Sequence, residues 1–208
     1  MNSVQHLFPS FSSSLVDDVN EHSVIHSYKS GELIFRTGQF IKGAILILKG
    51  RIKIYREGEE GGEFFMYYLQ PGQACAISMI LSSKAEQSQL LAKAEDDVEL
   101  IMVPLNLMNE WMLKHRSWYE FVVDSFRIRF EEVLTVIDNI AFRSMDQQLE
   151  FYLKRQYKTF GTKMLKISHQ EIATDLNTSR EVISRLLKRM EQLNKVKLFR
   201  NAIEIVEE

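Results

Sequence analysis

The stretch from Ser168 to Met190, SHQEIATDLNTSREVISRLLKRM, limits what this chain can fold into more than any other. Ser168 is a natural helix N-cap, and Glu171 three residues on closes a capping box that satisfies orphan backbone amides. Ile172, Ala173 and Leu176 then recur at one-turn spacing and predict a short helix over 170–176. Asn177 follows, the residue type besides glycine that most readily takes a positive φ, so the chain turns there. Thr178 or Ser179 can cap a second helix. In it Ile183, Leu186, Leu187 and Met190 stand at i, i+3, i+4 and i+7 and face a core.

The other face of that second helix is the informative one. Arg180, Glu181, Ser184, Arg185 and Lys188 share one stripe. A charged stripe can be no more than a solvated surface laced by a Glu181–Arg185 pair one turn apart. The combination of capped short helix, Asn turn, second cap and arginines clustered near the second N-terminus instead predicts a helix-turn-helix. Its second helix would place these groups against base edges and phosphates in a DNA major groove.

The run Ser179-Arg180-Glu181-Val182-Ile183-Ser184-Arg185 resembles the recognition-helix motif of the CRP/FNR family of bacterial transcription regulators. The resemblance implies that Arg180, Glu181 and Arg185 occupy positions at which cyclic-AMP-receptor-type members touch DNA. Glu181, Ser184 and Arg185 match those used by FNR-type members. The chemistry agrees, since arginine forks onto guanine O6 and N7 and glutamate accepts from cytosine N4. His169 stands where the family often has an arginine to a phosphate, which implies a weaker, pH-sensitive contact. With it, Ser179, Lys188, Arg189, Lys197 and Arg200 form the expected phosphate set.

Charge is unevenly placed. From Phe142 onward there are 13 Lys/Arg against 9 Asp/Glu, out of 26 and 28 in the whole chain, so a net +4 follows a net −6. A basic C-terminal part fits a polyanionic partner, although the motif carries the claim. The single Cys75 excludes a disulfide within one chain and suits a reducing cytoplasm. It also excludes an iron–sulfur cluster held by four thiolates of one chain, and with it the oxygen-sensing chemistry associated with FNR itself. The N-terminus lacks the pattern of a signal peptide, and no apolar run approaches the ~20 residues of a membrane helix. The expected location is the cytoplasm, with no membrane partner.

Upstream of the long helices the grammar is that of strands. Val4–Asn20 reads as one or two short amphipathic helices. From Ser23 short runs rich in β-branched and aromatic residues alternate with glycines: Ser23–Tyr28, Ala44–Leu48, Arg51–Tyr55, Phe64–Leu69 and Val98–Val103. Eight of the nine glycines fall at or before Gly72, so tight turns belong to this half, and an antiparallel barrel or roll is expected. The phrases Gly31–Gly38, Leu48–Tyr55 and Leu69–Gly72 also resemble the family's cyclic-nucleotide-binding β-roll.

The roll's binding segment departs from that pattern. A cyclic nucleotide needs a Gly-Glu pair for the ribose and an Arg beside a small hydroxyl residue for the phosphate. Here those positions fall on Ala76-Ile77 and near Gln87-Ser88, so the cation is missing and only Ser88 survives. Cyclic AMP or GMP binding is therefore not expected. The effector pocket, if it exists, is assigned to Cys75, Ala76, Ile77, Ser78, Met79 and Ser88, a largely apolar set, and the effector is unknown. Cys75 could be a redox sensor, but beside apolar neighbours it reads more readily as an inert small hydrophobe. Haem is conceivable through His6, His22, His26 or His115, whose spacing marks no axial ligand. No residue set has metal-ligand spacing.

Pro104 begins a short helix carrying Leu105, Met108, Trp111 and Met112, broken around His115–Ser117. A long helix from Ser117 to Ala141 follows. Tyr119, Val123, Phe126, Phe130, Val133, Ile137 and Ile140 alternate by four and three residues, an a/d seam over three heptads that wants a partner helix. The family's parallel homodimer uses this helix, and packing onto the roll of the same chain is the simpler alternative. Phe142-Arg143 is the expected hinge, and a helix over 145–160 restarts with its own capping box. Val196–Phe199 and Ala202–Val206, turning at Arg200-Asn201, read as the wing, with Lys195, Lys197 and Arg200 near it.

The sequence thus predicts an α+β chain: a jelly-roll-like antiparallel sensory β-roll (1–116), a dimerisation helix (117–141) and a winged helix-turn-helix (142–208). A homodimer on a palindromic site in double-stranded DNA is the expected functional form. An activator would also need a surface for RNA polymerase. The rival reading is a small-molecule-binding module acting through protein contacts. An enzyme is disfavoured, because the chain has no nucleophile elbow, phosphate-cradling glycine loop or metal-binding spacing.

Overall fold

Strand β3 (Gly43–Lys49) explains the layering of the N-terminal half. Its sequence GAILILK is apolar without alternation because both faces are covered. Ala44 and Leu46 pack into one hydrophobic cluster and Ile45 and Ile47 into another. The computed structural model in which this is seen describes residues 3–58, 63–79, 87–142 and 144–206, the side chains at 3 and 139–142 excepted.

Two compact units make up the chain: Met1–Glu57 with Met66–Val133, and Gly58–Phe65 with Leu134–Glu208. In the first, β1 (Val24–Tyr28), β7 (Val98–Pro104) and β3 form one antiparallel sheet in the order β1-β7-β3. The other sheet has the order β2-β6-β4-β5, from β2 (Leu33–Phe35), β6 (Leu90–Ala94), β4 (Ile52–Glu57) and β5 (Glu63–Leu69). Ile45, Ile47, Ile52, Ile54, Leu69 and Leu100 fill the space between them. Gly50 makes the β3–β4 turn at φ +74, and a Cβ there would stand 2.4 Å from the Asp97 carbonyl oxygen, so no other residue fits.

The second cluster lies under helices α1 (Ser3–Leu7), α2 (Ser13–His22) and α3 (Leu105–Lys114) and the start of α4 (Arg116–Phe142). Phe8, Phe11, Trp111 and Trp118 form its aromatic centre, with Trp111 and Trp118 edge to face at 5.4 Å. Pro104 is the N-cap of α3 rather than its first residue. Trp118, Val122, Ser125 and Arg129, spaced at helical repeat, form the buried stripe of α4. The predicted seam lies on the remaining surface: Phe130 is 65% exposed, Ile137 52%, Tyr119 48% and Val123 47%. Phe126 and Val133 are half-buried. The Ile140 side chain and the Arg143 half of the hinge lie outside what the structure describes.

The second unit is built on α5 (Met145–Phe160), α6 (His169–Asp175), α7 (Arg180–Gln192) and a small sheet. The sheet pairs β9 (Val196–Phe199) with β10 (Ala202–Ile205), as the wing was predicted, and adds β8 (Met164–Leu165) on the other edge of β10. Leu149, Leu153, Ile172, Ile183, Leu187 and Ile203 are fully buried there. Among the described residues no helix is long and apolar enough to cross a membrane.

Candidate nucleic-acid interface

The helix-turn-helix is held by its caps. The Ser168 hydroxyl accepts from the Glu171 amide at 3.2 Å while the Glu171 carboxylate accepts from the Ser168 amide at 2.7 Å. Such a cap contributes about 1 kcal/mol. Asn177 takes φ +48, and the Thr178 amide returns to the Ala173 carbonyl at 2.9 Å, satisfying an otherwise free helix end. Of the two possible caps for α7, Ser179 is used, accepting from the Val182 amide at 3.3 Å. Ile183, Leu187 and Met190 face inward and Leu186 is half-buried. Inside the unit the Tyr152 hydroxyl donates to the buried Asp175 carboxylate at 2.6 Å, tying α5 to α6.

Arg180, Glu181, Arg185, Lys188 and Arg189 are all exposed on α7. Among the described residues, Arg180, Arg185, Lys188 and Arg189 make no hydrogen bond or ion pair, and no Glu181–Arg185 bridge forms. Arg51, by contrast, pairs with Asp96 at 2.7 Å. A hydrogen bond from its own backbone amide, and then the Ser179 hydroxyl, hold the Glu181 carboxyl below its usual range, keeping it an acceptor. Ser184 is half-buried, and its hydroxyl lies 2.9 Å from the His169 ring nitrogen Nδ1. Burial, and then the Arg180 guanidinium, lower the pKa of His169.

The remaining phosphate residues are on the wing. Arg200 is exposed at the β9–β10 turn, where Asn201 takes φ +56. Lys197 is exposed and stands 3.8 Å from Glu204. Lys195 is drawn away to Glu150 at 3.1 Å and is half-buried, which removes it from the open set.

The expected effector segment is packed differently. Cys75, Ala76, Ser78, Met79 and Ser88 are buried and Ile77 is half-buried. The Ser78 hydroxyl donates to the Cys75 carbonyl at 2.6 Å and accepts from the Ile45 amide at 3.0 Å. The Ser88 hydroxyl donates to the Leu90 carbonyl at 2.8 Å and accepts from the Leu90 amide at 3.1 Å. Burial pushes the Cys75 thiol pKa up, so it stays protonated at neutral pH, as an inert core residue would. His115 is fixed between α2 and α3, with Nε2 2.7 Å from Asp18, and His22 Nδ1 lies 3.0 Å from the Asp18 carbonyl oxygen.

A cation near this segment escaped the sequence reading. Arg129 of α4 is buried, with its guanidinium 4.6 Å from the centre of the Tyr67 ring and bonded to Glu132 at 2.5 Å and Gln73 at 3.2 Å. No motif marks it, because its spacing to Gln73 and Tyr67 exists only in the fold.

With this geometry the comparisons agree. Residues 25–115 match the family described as "Cyclic nucleotide-binding domain" and residues 148–208 match "Crp-like helix-turn-helix domain". The chain is 25% identical over 170 residues to the Global nitrogen regulator of Synechococcus elongatus, covering 78% of this chain and 77% of that one. It is 26% identical over 184 residues to the Cyclic AMP receptor protein of Thermus thermophilus, covering 86% and 82%. A crystal structure of a crp/fnr-family protein from Eubacterium rectale superimposes with a TM-score of 0.83 at 25% identity, covering 97% of this chain and 95% of that one. A roll of the nucleotide-binding type, a long helix and a Crp-like helix-turn-helix place this chain in the CRP/FNR family of transcription regulators, to which it belongs.

Proposed function

We propose that this regulator binds a palindromic DNA operator as a homodimer, reading each half-site with α7. The observation that carries the reading is the outer face of that helix, where Arg180, Arg185, Lys188 and Arg189 are exposed and, among the described residues, make no hydrogen bond or ion pair, beside Glu181 and Ser184. Arg180, Glu181, Ser184 and Arg185 contact bases; Lys188, Arg189, Lys197 and Arg200 contact phosphates, with Ser179 and His169 at the two helix starts near the backbone. Dimerisation is supported by the exposed apolar seam of α4, whose heptad spacing suits a second copy of the same helix. The palindrome follows, because a two-fold dimer presents two copies of α7 to half-sites about one helical turn apart.

The roll senses something other than cyclic AMP or GMP in this reading, since Ala76 and Ile77 replace the ribose-binding pair and the Ser88 hydroxyl is engaged by Leu90. The cytoplasm is the proposed location, and RNA polymerase the proposed partner if the protein activates. Selection of bound sequences from a random DNA pool at fixed salt tests the reading. A two-fold symmetric consensus is expected; a pool that stays random after repeated rounds would refute it.

A further inference from the structure

Ser184 and His169 are 15 residues apart in sequence, on different helices, yet their Oγ and Nδ1 atoms are 2.9 Å apart. Both side chains are half-buried, so the contact is held between α6 and α7 rather than left to solvent. We infer that His169 sets which hydrogen-bonding role Ser184 presents to a base edge, making His169 a specificity-determining residue rather than only a phosphate contact. The inference rests on the reading of α7 as the recognition helix.

A hydroxyl has one hydrogen and two lone pairs. When Nδ1 is a lone pair, it takes the Ser184 hydrogen, and the oxygen can only accept from DNA. The matching groups are the amino hydrogens of adenine N6 and cytosine N4. When Nδ1 carries a proton, it donates to Ser184, and the hydroxyl hydrogen turns outward to guanine O6 or N7 or thymine O4. A neutral ring allows either arrangement, whereas the imidazolium allows only the second.

The charged groups around the ring are few. Arg180, on α7, faces it and disfavours the imidazolium. On α6 the Glu171 carboxylate is turned back to the Ser168 amide at 2.7 Å. The free protein therefore holds a neutral ring at neutral pH, and acid brings the donor state. The pair is positioned to convert that change into a change of base preference at one position per half-site.

The test uses the full-length protein and the selected operator, with all four base pairs substituted at each position and affinities measured at about pH 8 and about pH 5.5 at equal salt. At one position per half-site the preference should move toward base pairs offering acceptors by roughly fivefold on acidification, the value of one hydrogen bond. His169→Lys, a permanent donor, should show the acid preference at both pH values. Ser184→Ala should lose preference at that position alone, at both pH values. A base profile that is the same at both pH values at every position would overturn the inference, as would a folded His169→Lys protein with the wild-type profile at about pH 8. Equal binding of all sequences at both pH values would instead refute the recognition-helix reading, and this inference with it.

Discussion

The outer face of α7 and the buried Ser78 and Ser88 of the roll treat their polar groups in opposite ways. On α7 the guanidinium and ammonium groups are exposed and find no acceptor among the described residues. In the roll, the Ser78 and Ser88 hydroxyls each donate to one backbone carbonyl and accept from one backbone amide. Unpaired charge on a rigid, well-capped helix is poised for an external partner. Hydroxyls used inside the fold support the fold. Two regions that stand at the family's binding positions thus differ in whether binding groups remain available, and position in the fold alone does not decide function.

The largest effect that would sharpen this contrast lies in the seam. Phe130→Glu places a charge on the most exposed seam position and should weaken operator binding by about 2–4 kcal/mol through loss of the dimer. Sedimentation would then show the monomer; an unchanged dimer would remove α4 as its interface.

Ser78→Ala comes next. It leaves the buried Ile45 amide without its acceptor and should cost about 1–3 kcal/mol of folding stability in denaturant titrations, with operator affinity of the folded protein unchanged. A stable Ser78→Ala protein with altered DNA affinity would reverse the roles assigned to the two regions. Lys197→Ala should weaken binding to all sequences alike and make the slope of log K against log salt shallower by about 1. A sequence-dependent loss would make Lys197 a base reader.

The smallest expected effect is electrostatic and involves neither set of polar groups. Hydrogen bonds from Lys114 and then His115 hold the Asp18 carboxyl below its ordinary value of 3.8. A carboxyl with a lowered folded pKa stabilises the fold above the unfolded pKa, and that contribution is lost as pH falls through the folded value. The difference in melting temperature between the protein and Asp18→Asn should be constant near neutral pH and shrink below about pH 4. A difference that persists unchanged into stronger acid would remove the ion pairs from the explanation.

How much of this was legible in the sequence depended on how local the signal was. The Ser168 and Ser179 caps and the Asn177 turn each act within about five residues, so they could be read directly. The wing was readable for the same reason, as two short β-rich runs around Arg200-Asn201. Strand β6 was not: LLAKA has no β-branched or aromatic residue, and its pairing with β4 and β2 supplies what local preference lacks. Strand β8 has only two residues and exists because β10 offers an edge. The α4 seam was visible as heptads, but the stripe of Trp118, Val122, Ser125 and Arg129 facing the first unit's core was not, because Ser125 and Arg129 do not look like core residues. Long-range pairs such as His169–Ser184 and Tyr152–Asp175 leave no trace in spacing at all.

The most direct measurement of the central claim is a base-resolved comparison of wild-type and Arg185→Ala protein on the selected operator and its single-base variants. The account predicts that Arg185→Ala loses about 1–3 kcal/mol on the operator, keeps its folding stability, and becomes indifferent to base identity at one position in each half-site. Equal losses on operator, variants and random DNA would contradict it, because α7 would then be binding phosphates without reading sequence.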